Sequence, residues 1–71
     1  MSETGRVHEP STEARWLQAN WTRDTLGQYE DRWIAVKGEG VIDSDTSIAE
    51  LMERTSYRDP LYAFAFLGPF Q

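Results

Sequence analysis

The sequence predicts an α+β fold of two layers, in which helices cover one face of a three-stranded sheet. Two segments with helix-capping residues and three short runs rich in β-branched, aromatic or alternating apolar residues follow the order helix, strand, strand, helix, strand (αββαβ). The chain has 71 residues, which is enough for one domain at most. Residues 1–10 are polar and include a glycine and a proline, as is typical of a disordered leader, so we expect a single domain over residues 11–71.

The first helix is predicted to begin at Ser11, whose side-chain oxygen can accept a hydrogen bond from a free backbone N–H at the helix start. Leu17 and Trp21 are four residues apart and share one face of this helix, with Trp16 beside them. We expect the helix to weaken or end at Gly27, because glycine is a poor helix former.

A β-hairpin is predicted between Arg32 and Asp43. Its first strand, residues 32–36, is rich in β-branched and aromatic side chains. Gly38 and Glu39 fit a two-residue primed turn, which needs the positive φ angle that glycine adopts at no steric cost. A second short strand then completes the hairpin.

The second helix has the clearest helical pattern in the chain. Ser47 and Glu50, three residues apart, form a capping box. Apolar or small residues at i, i+3, i+4 and i+7 predict one buried stripe, which consists of Ile48, Leu51, Met52 and Thr55. Pro60 ends the segment, because proline disfavours helix at the residue before it.

The last predicted strand, residues 61–67, carries no charge and is apolar on both faces. One face holds Leu61, Ala63, Ala65 and Leu67, and the other holds Tyr62, Phe64 and Phe66. A strand with two apolar faces is normally covered on both sides. Either the leader or the first helix folds across the second face, or another chain covers it.

The spacing of motifs along the chain also resembles a known family. The motifs are "W-L-x-x-N", then "L-x-x-Y-x-x-x-W-I-A-V", and finally "DPLYAF". Together they resemble DUF5678, a small prokaryotic family of domains of unknown function whose members typically read Tyr-x-Gly-Lys-Trp-Val-Ala before a turn. Here Asp31 stands where glycine is usual, and the other positions are filled by Tyr29, Arg32, Trp33, Ala35 and Val36. The resemblance implies the αββαβ fold, and it implies no activity, cofactor or catalytic residue.

Composition argues against several classes of function. The net charge is −5, so the chain lacks the basic patch that direct nucleic-acid binding needs. There are no cysteines and His8 is the only histidine, which argues against a Cys/His zinc site. No run of 18 apolar residues is present and the N-terminus is polar, so we expect a cytoplasmic protein without a membrane span.

An acidic cluster is formed by Glu39, Asp43, Asp45, Glu50 and Glu53. The spacing from Asp43 begins like a calcium loop, but Ile48 replaces the glycine of that loop and Arg54 its bidentate glutamate. Helix capping and solvation explain the cluster, so no metal and no cofactor is expected. No catalytic triad or carboxylate pair is apparent, and so small a domain has little room for a pocket of several hundred Å³.

The aromatic residues carry the functional prediction. We expect a non-catalytic protein-interaction module, an accessory subunit that docks through its apolar C-terminal strand and tail on a protein partner or on itself. Its predicted partner-binding residues are Trp16, Trp21, Tyr62, Phe64, Phe66 and Phe70. The alternative is an acidic inhibitor or antitoxin that occupies a basic site on an enzyme such as a nuclease. An enzymatic role is expected only as a subunit that contributes to a shared active site.

Overall fold

A computed structural model of the chain describes residues 10–68. The predicted leader, apart from Pro10, lies outside the described residues. The elements, in chain order, are α1 (Thr12–Ala19), α2 (Arg23–Leu26), a 3₁₀ turn (Gly27–Tyr29), β1 (Trp33–Val36), β2 (Val41–Asp45), α3 (Ile48–Thr55), a second 3₁₀ turn (Ser56–Arg58) and β3 (Leu61–Phe64). The α+β class and the three-stranded sheet are confirmed.

The first helical segment begins as predicted but breaks earlier. Ser11 caps α1 by accepting a hydrogen bond from the Ala14 N–H at 3.1 Å. The helix ends at Asn20, whose side-chain amide donates to the Trp16 carbonyl at 2.8 Å. Thr22 then caps α2 by accepting from the Thr25 N–H at 3.2 Å. The helical segment does end at Gly27, as predicted, but it is not one continuous helix. The break occurs because Asn and Thr bond to free helix-end groups more readily than they continue a helix.

The sheet is antiparallel, in the order β2-β1-β3, so β1 lies in the centre. In β1, Trp33 pairs with Asp45 of β2 and Phe64 of β3. The hairpin turn is at the predicted place: Gly38 has a φ of 66° and is followed by Glu39. The second strand runs to Asp45, two residues past the predicted hairpin end, and a register shift beside Ala35 marks a bulge.

One face of the sheet, called the first face here, carries the main core. Ile34 and Val36 of β1 are fully buried on it, together with Leu26 of α2. Residues after β3 close the core, since Ala65 and Leu67 are also buried. The half-buried side chains around this core are Trp16, Leu17, Trp21, Tyr29, Val41, Leu61 and Ala63.

Helix α1 is also held to the hairpin by a polar contact. The Glu13 carboxylate accepts a hydrogen bond from the Gly38 backbone N–H at 2.7 Å. This bond is the main reason that the pKa of Glu13 lies below its usual value. The contact fixes the start of α1 beside the turn between β1 and β2.

Helix α3 covers part of the opposite, second face, where alternation along β1 directs Ala35. It packs against β1 and β2, and its Arg54 binds Asp43, the residue paired with Ala35. The expectation that helices cover one face only was wrong, because α1 and α2 lie on the first face and α3 on the second. The predicted stripe of α3 holds for Leu51 and Thr55, which are buried, whereas Met52 is 44% exposed.

A bulge connects the start of β1 to the end of β3. Asp31 donates from its N–H to the Ala65 carbonyl at 2.9 Å, and the Ala65 N–H donates to the Arg32 carbonyl at 2.8 Å. Asp31 and Arg32 thus oppose the single residue Ala65, and Asp31 has a φ of 64°. This is the G1 type of bulge, whose first position is left-handed and normally glycine. Aspartate is one of the few other residues that tolerate this conformation.

We predict that Asp31→Gly is more stable than Asp31→Ala by about 0.5–1 kcal/mol, because the left-handed penalty of alanine exceeds the extra chain entropy of glycine. Thermal and urea unfolding measure the difference. The matched pair Asp24→Gly and Asp24→Ala, at an exposed position of α2, should show the opposite order, with alanine more stable. Equal or greater stability of Asp31→Ala would contradict the requirement for a left-handed residue.

Candidate functional site

The aromatic face of the last strand lies away from the main core. Leu61, Ala63 and Ala65 point to the first face, so alternation places Tyr62 and Phe64 on the second face. The predicted strand is shorter than expected, since β3 ends at Phe64, although Ala65 still bonds to the bulge.

Phe64 and Phe66 are the exposed aromatic side chains of this segment. Phe64 is 39% exposed, and its ring meets Trp33 edge to face with centroids 5.3 Å apart. Phe66 is 60% exposed, and its N–H donates to the Phe64 carbonyl at 2.9 Å. We call Trp33, Phe64 and Phe66 the β3 aromatic surface. Trp33 is only half-buried and forms part of this surface.

Tyr62 is fixed on the second face by a chain of hydroxyl groups. The Thr55 hydroxyl lies 2.6 Å from the Leu51 carbonyl and 2.9 Å from the Tyr62 hydroxyl. A carbonyl can only accept, so the single Thr55 proton goes to Leu51 and Tyr62 donates to Thr55. Tyr62 is therefore oriented by α3, and its ring is half-buried.

The other predicted partner-binding residues do not join this surface. Trp16 and Trp21 are half-buried and pack against the core on the first face. Phe70 lies outside the described residues. Sequence reasoning did not single out Tyr57, on the second 3₁₀ turn, which is 83% exposed.

Part of the acidic cluster is neutralised within the chain. The Arg54 guanidinium contacts both oxygens of Asp43, at 3.0 Å and 3.2 Å, and one oxygen of Asp45 at 2.9 Å. It also donates to the Ser44 carbonyl at 3.2 Å. Arg54 occupies the position at which a calcium loop would have its last ligand. Its guanidinium binds these carboxylates as a cation. No group of three metal-ligating side chains occurs within residues 10–68.

These contacts shift the pKa values of all three side chains. The pKa of Asp43 is lowered, chiefly by its hydrogen bonds from Arg54. The pKa of Asp45 is lowered first by the Ser47 backbone N–H, 2.8 Å away, and then by Arg54. The pKa of Arg54 is raised further by the same two carboxylates, so all three groups are charged near neutral pH.

An open depression of about 470 Å³ lies between α1 and the hairpin turn. The expectation that the domain has little room for a pocket of this size was therefore wrong. The depression contains no histidine and a single carboxylate; it is lined by Thr12, Arg15, Trp16, Ala19, Asn20 and Glu39. No hydrogen bond joins the Thr12 hydroxyl to the Glu39 carboxylate, so the described lining holds no activated nucleophile and we assign no chemistry to it.

The described chain is thus a small α+β domain whose most distinctive surface is aromatic. The model of the family of unknown function DUF5678 matches residues 24–65, which is more than half of the chain, and the protein belongs to this family. The matched region runs from α2 to Ala65 and includes Asp31. No curated protein and no solved structure matches the chain significantly. None of the helices within residues 10–68 has the length and apolar character needed to cross a bilayer.

We predict that Arg54→Met lowers Tm near neutral pH and that this loss shrinks below about pH 4. The folded-state pKa values of Asp43 and Asp45 lie below their unfolded values, so their pairing stabilises the fold above the unfolded pKa. That stabilisation is lost as the pH falls through the folded pKa. Thermal unfolding of both proteins between about pH 3 and pH 7 measures the effect.

Arg58→Met is the matched control, because Arg58 is exposed and forms no ion pair with another residue in the described part of the chain. It should change Tm little, and to a similar extent at each pH. A loss of Tm in Arg54→Met that stays constant across this pH range would show that the methylene stem, and not the charge, supplies the stability.

Proposed function

We propose that this protein is a non-catalytic protein-interaction module, an accessory subunit of the prokaryotic cytoplasm that docks through β3 and the tail that follows it. The observation that carries the proposal is the exposure of Phe64 and Phe66, at 39% and 60%, in a segment without charge. Large apolar side chains that lie together on a surface are typical of protein interfaces.

Burial of these side chains would supply a substantial driving force. Complete burial of one large apolar side chain contributes about 1.5–3 kcal/mol. Phe64 is 39% exposed and Phe66 is 60% exposed, so burial of these exposed fractions would still add to the free energy of association. The twelve carboxylates of the chain lie outside residues 60–71, so a partner can approach this segment without desolvating a charge within it.

Gly68, the last described residue, lies beside Arg23 of α2. Gly68 has a φ of 81°, and its carbonyl accepts a hydrogen bond from Arg23 at 3.1 Å. We include Phe70, beyond the described residues, in the proposed interface because it continues the uncharged aromatic segment. A truncation that removes the tail should end after Gly68, so that the contact with Arg23 is kept.

The acidic-inhibitor hypothesis has less support. Asp43 and Asp45 are both occupied by Arg54, which leaves Glu39, Glu50 and Glu53 as the remaining carboxylates of the predicted cluster. A chain that neutralises two of its five candidate groups internally is less suited to compete for a basic site.

We predict that the double variant Phe64→Ser with Phe66→Ser remains folded and loses association. Its free energy of unfolding should fall by about 1–2 kcal/mol, compared with about 3–5 kcal/mol for each phenylalanine removed from a closed core. Circular dichroism measures the fold. Quantitative crosslinking in cells, followed by mass spectrometry, measures the fraction of the chain that is joined to any protein.

Tyr57→Ser is the matched control, because Tyr57 is a more exposed aromatic residue outside the proposed surface. It should retain the crosslinked fraction of the unmodified chain. Undiminished crosslinking of the double variant, at a similar Tm, would contradict the proposal, as would an equal loss of crosslinking in Tyr57→Ser.

A further inference from the structure

The two edges of the sheet differ in how their backbone groups are satisfied. On the β2 edge, the outward-facing residue is Ser44, since its neighbours Asp43 and Asp45 pair with β1 in the register that bonds them. The Ser44 N–H donates to the Asp43 carboxylate at 2.7 Å, and its carbonyl accepts from Arg54 at 3.2 Å. Both groups that a further strand would need are therefore already bonded, and charged side chains surround them.

The β3 edge has no such protection. The N–H and the carbonyl of Ala65 both bond towards β1, so alternation directs those of Tyr62 and Phe64 outwards. The Phe64 carbonyl accepts from Phe66 and keeps a second lone pair. The outward N–H and carbonyl of Tyr62, and the N–H of Phe64, form no hydrogen bond with any residue of the described chain.

The side chains of β3 also lack the usual means of blocking an edge. Natural edge strands are kept short, or carry lysine, proline, inward charges or bulges, and each of these limits further pairing. Strand β3 is short, but residues 61–64 contain no charge and no proline, and Pro60 stands just before the strand. The edge is therefore chemically suited to one kind of partner, namely another extended strand.

We propose that β3 pairs antiparallel with β3 of a second copy of this chain, which joins two sheets into one of six strands. This inference rests on the proposed function and specifies how the surface docks. A two-fold axis beside Ala63 sets Tyr62 of each copy opposite Phe64 of the other. In that register the outward N–H and carbonyl groups of both residues form four hydrogen bonds between the copies.

The side chains fit this register. Ala63 meets its own equivalent at a narrow, non-hydrogen-bonded pair, where Cα atoms are about 4.5 Å apart and a small side chain is favourable. On the second face, the ring of Phe64 already contacts Trp33 of β1 on one side. The pairing places Tyr62 of the other copy on its other, exposed side. No paired residue is charged, so the pairing brings no like charges into direct opposition although each chain carries −5.

Backbone hydrogen exchange, followed by NMR at increasing protein concentration, tests the pairing directly. The amides of Tyr62 and Phe64 should exchange rapidly in dilute solution and become protected as the dimer forms, while the Ser44 amide should keep the same protection throughout. Rapid exchange of both amides up to millimolar concentration would overturn the inference. Equal protection of both at every concentration would overturn it too, because the groups would then be bonded within one chain.

A chain synthesised with N-methyl-Phe64 separates edge pairing from contact between aromatic faces. The methyl group removes a donor that the monomer does not use and leaves every side chain unchanged. The dissociation constant from sedimentation should rise at least about tenfold, because two of the four bonds between copies are lost. N-methyl-Ser44, at an outward position of the opposite edge, is the control: it removes the bond to Asp43 within the chain but no bond between copies, so it should dimerise as the unmodified chain does once its fold is verified.

The outcomes separate this inference from the proposed function. Unchanged dimerisation of N-methyl-Phe64, together with loss in Phe64→Ser, would refute the edge pairing and leave a docking aromatic face. A chain that is monomeric at millimolar concentration yet is crosslinked to a different protein through Phe64 and Phe66 would refute the second copy as partner. Circular dichroism of each variant verifies that it is folded.

Discussion

Strand β1 is bonded along both edges and covered on both faces, and the position of every other element follows from that. Ile34, Ala35 and Val36 are completely buried, a condition that so small a domain can meet for only one strand. Helices α1 and α2 cover one face of β1, and α3 covers part of the other. The bulge at Asp31 sets the entry to the strand, so the central strand depends on one left-handed residue at its start.

Much of this arrangement follows from local patterns in the sequence. The caps at Ser11 and Ser47, the hairpin turn at Gly38 and the alternating last strand all depend on neighbouring residues, and all are present. The side of the sheet that α3 covers could not be predicted in this way, because the stripe of a helix indicates that a face is buried but not where. The exposure of Met52 reflects the same limit.

The candidate site, like the fold, could be predicted from the sequence only in part. The aromatic content of the last strand was visible in the sequence, yet which side of it is core depends on the pairing with β1. In the sequence, Arg54 indicates only that the calcium-loop pattern is incomplete. Its contacts with Asp43 and Asp45 join residues nine and eleven positions apart, and they depend on how α3 lies across β2. A single arginine thereby neutralises two acidic groups and occupies one edge of the sheet.

The attachment of α1 has a consequence for how relatives can diverge. The whole of this helix precedes the region that the family model matches, yet it covers part of the main core with Trp16 and Leu17. Its polar anchor, Glu13, binds the backbone of Gly38 and not a side chain. An anchor of this kind is insensitive to the identity of side chains in the turn. Side chains of the hairpin loop can therefore change while the helix keeps its place.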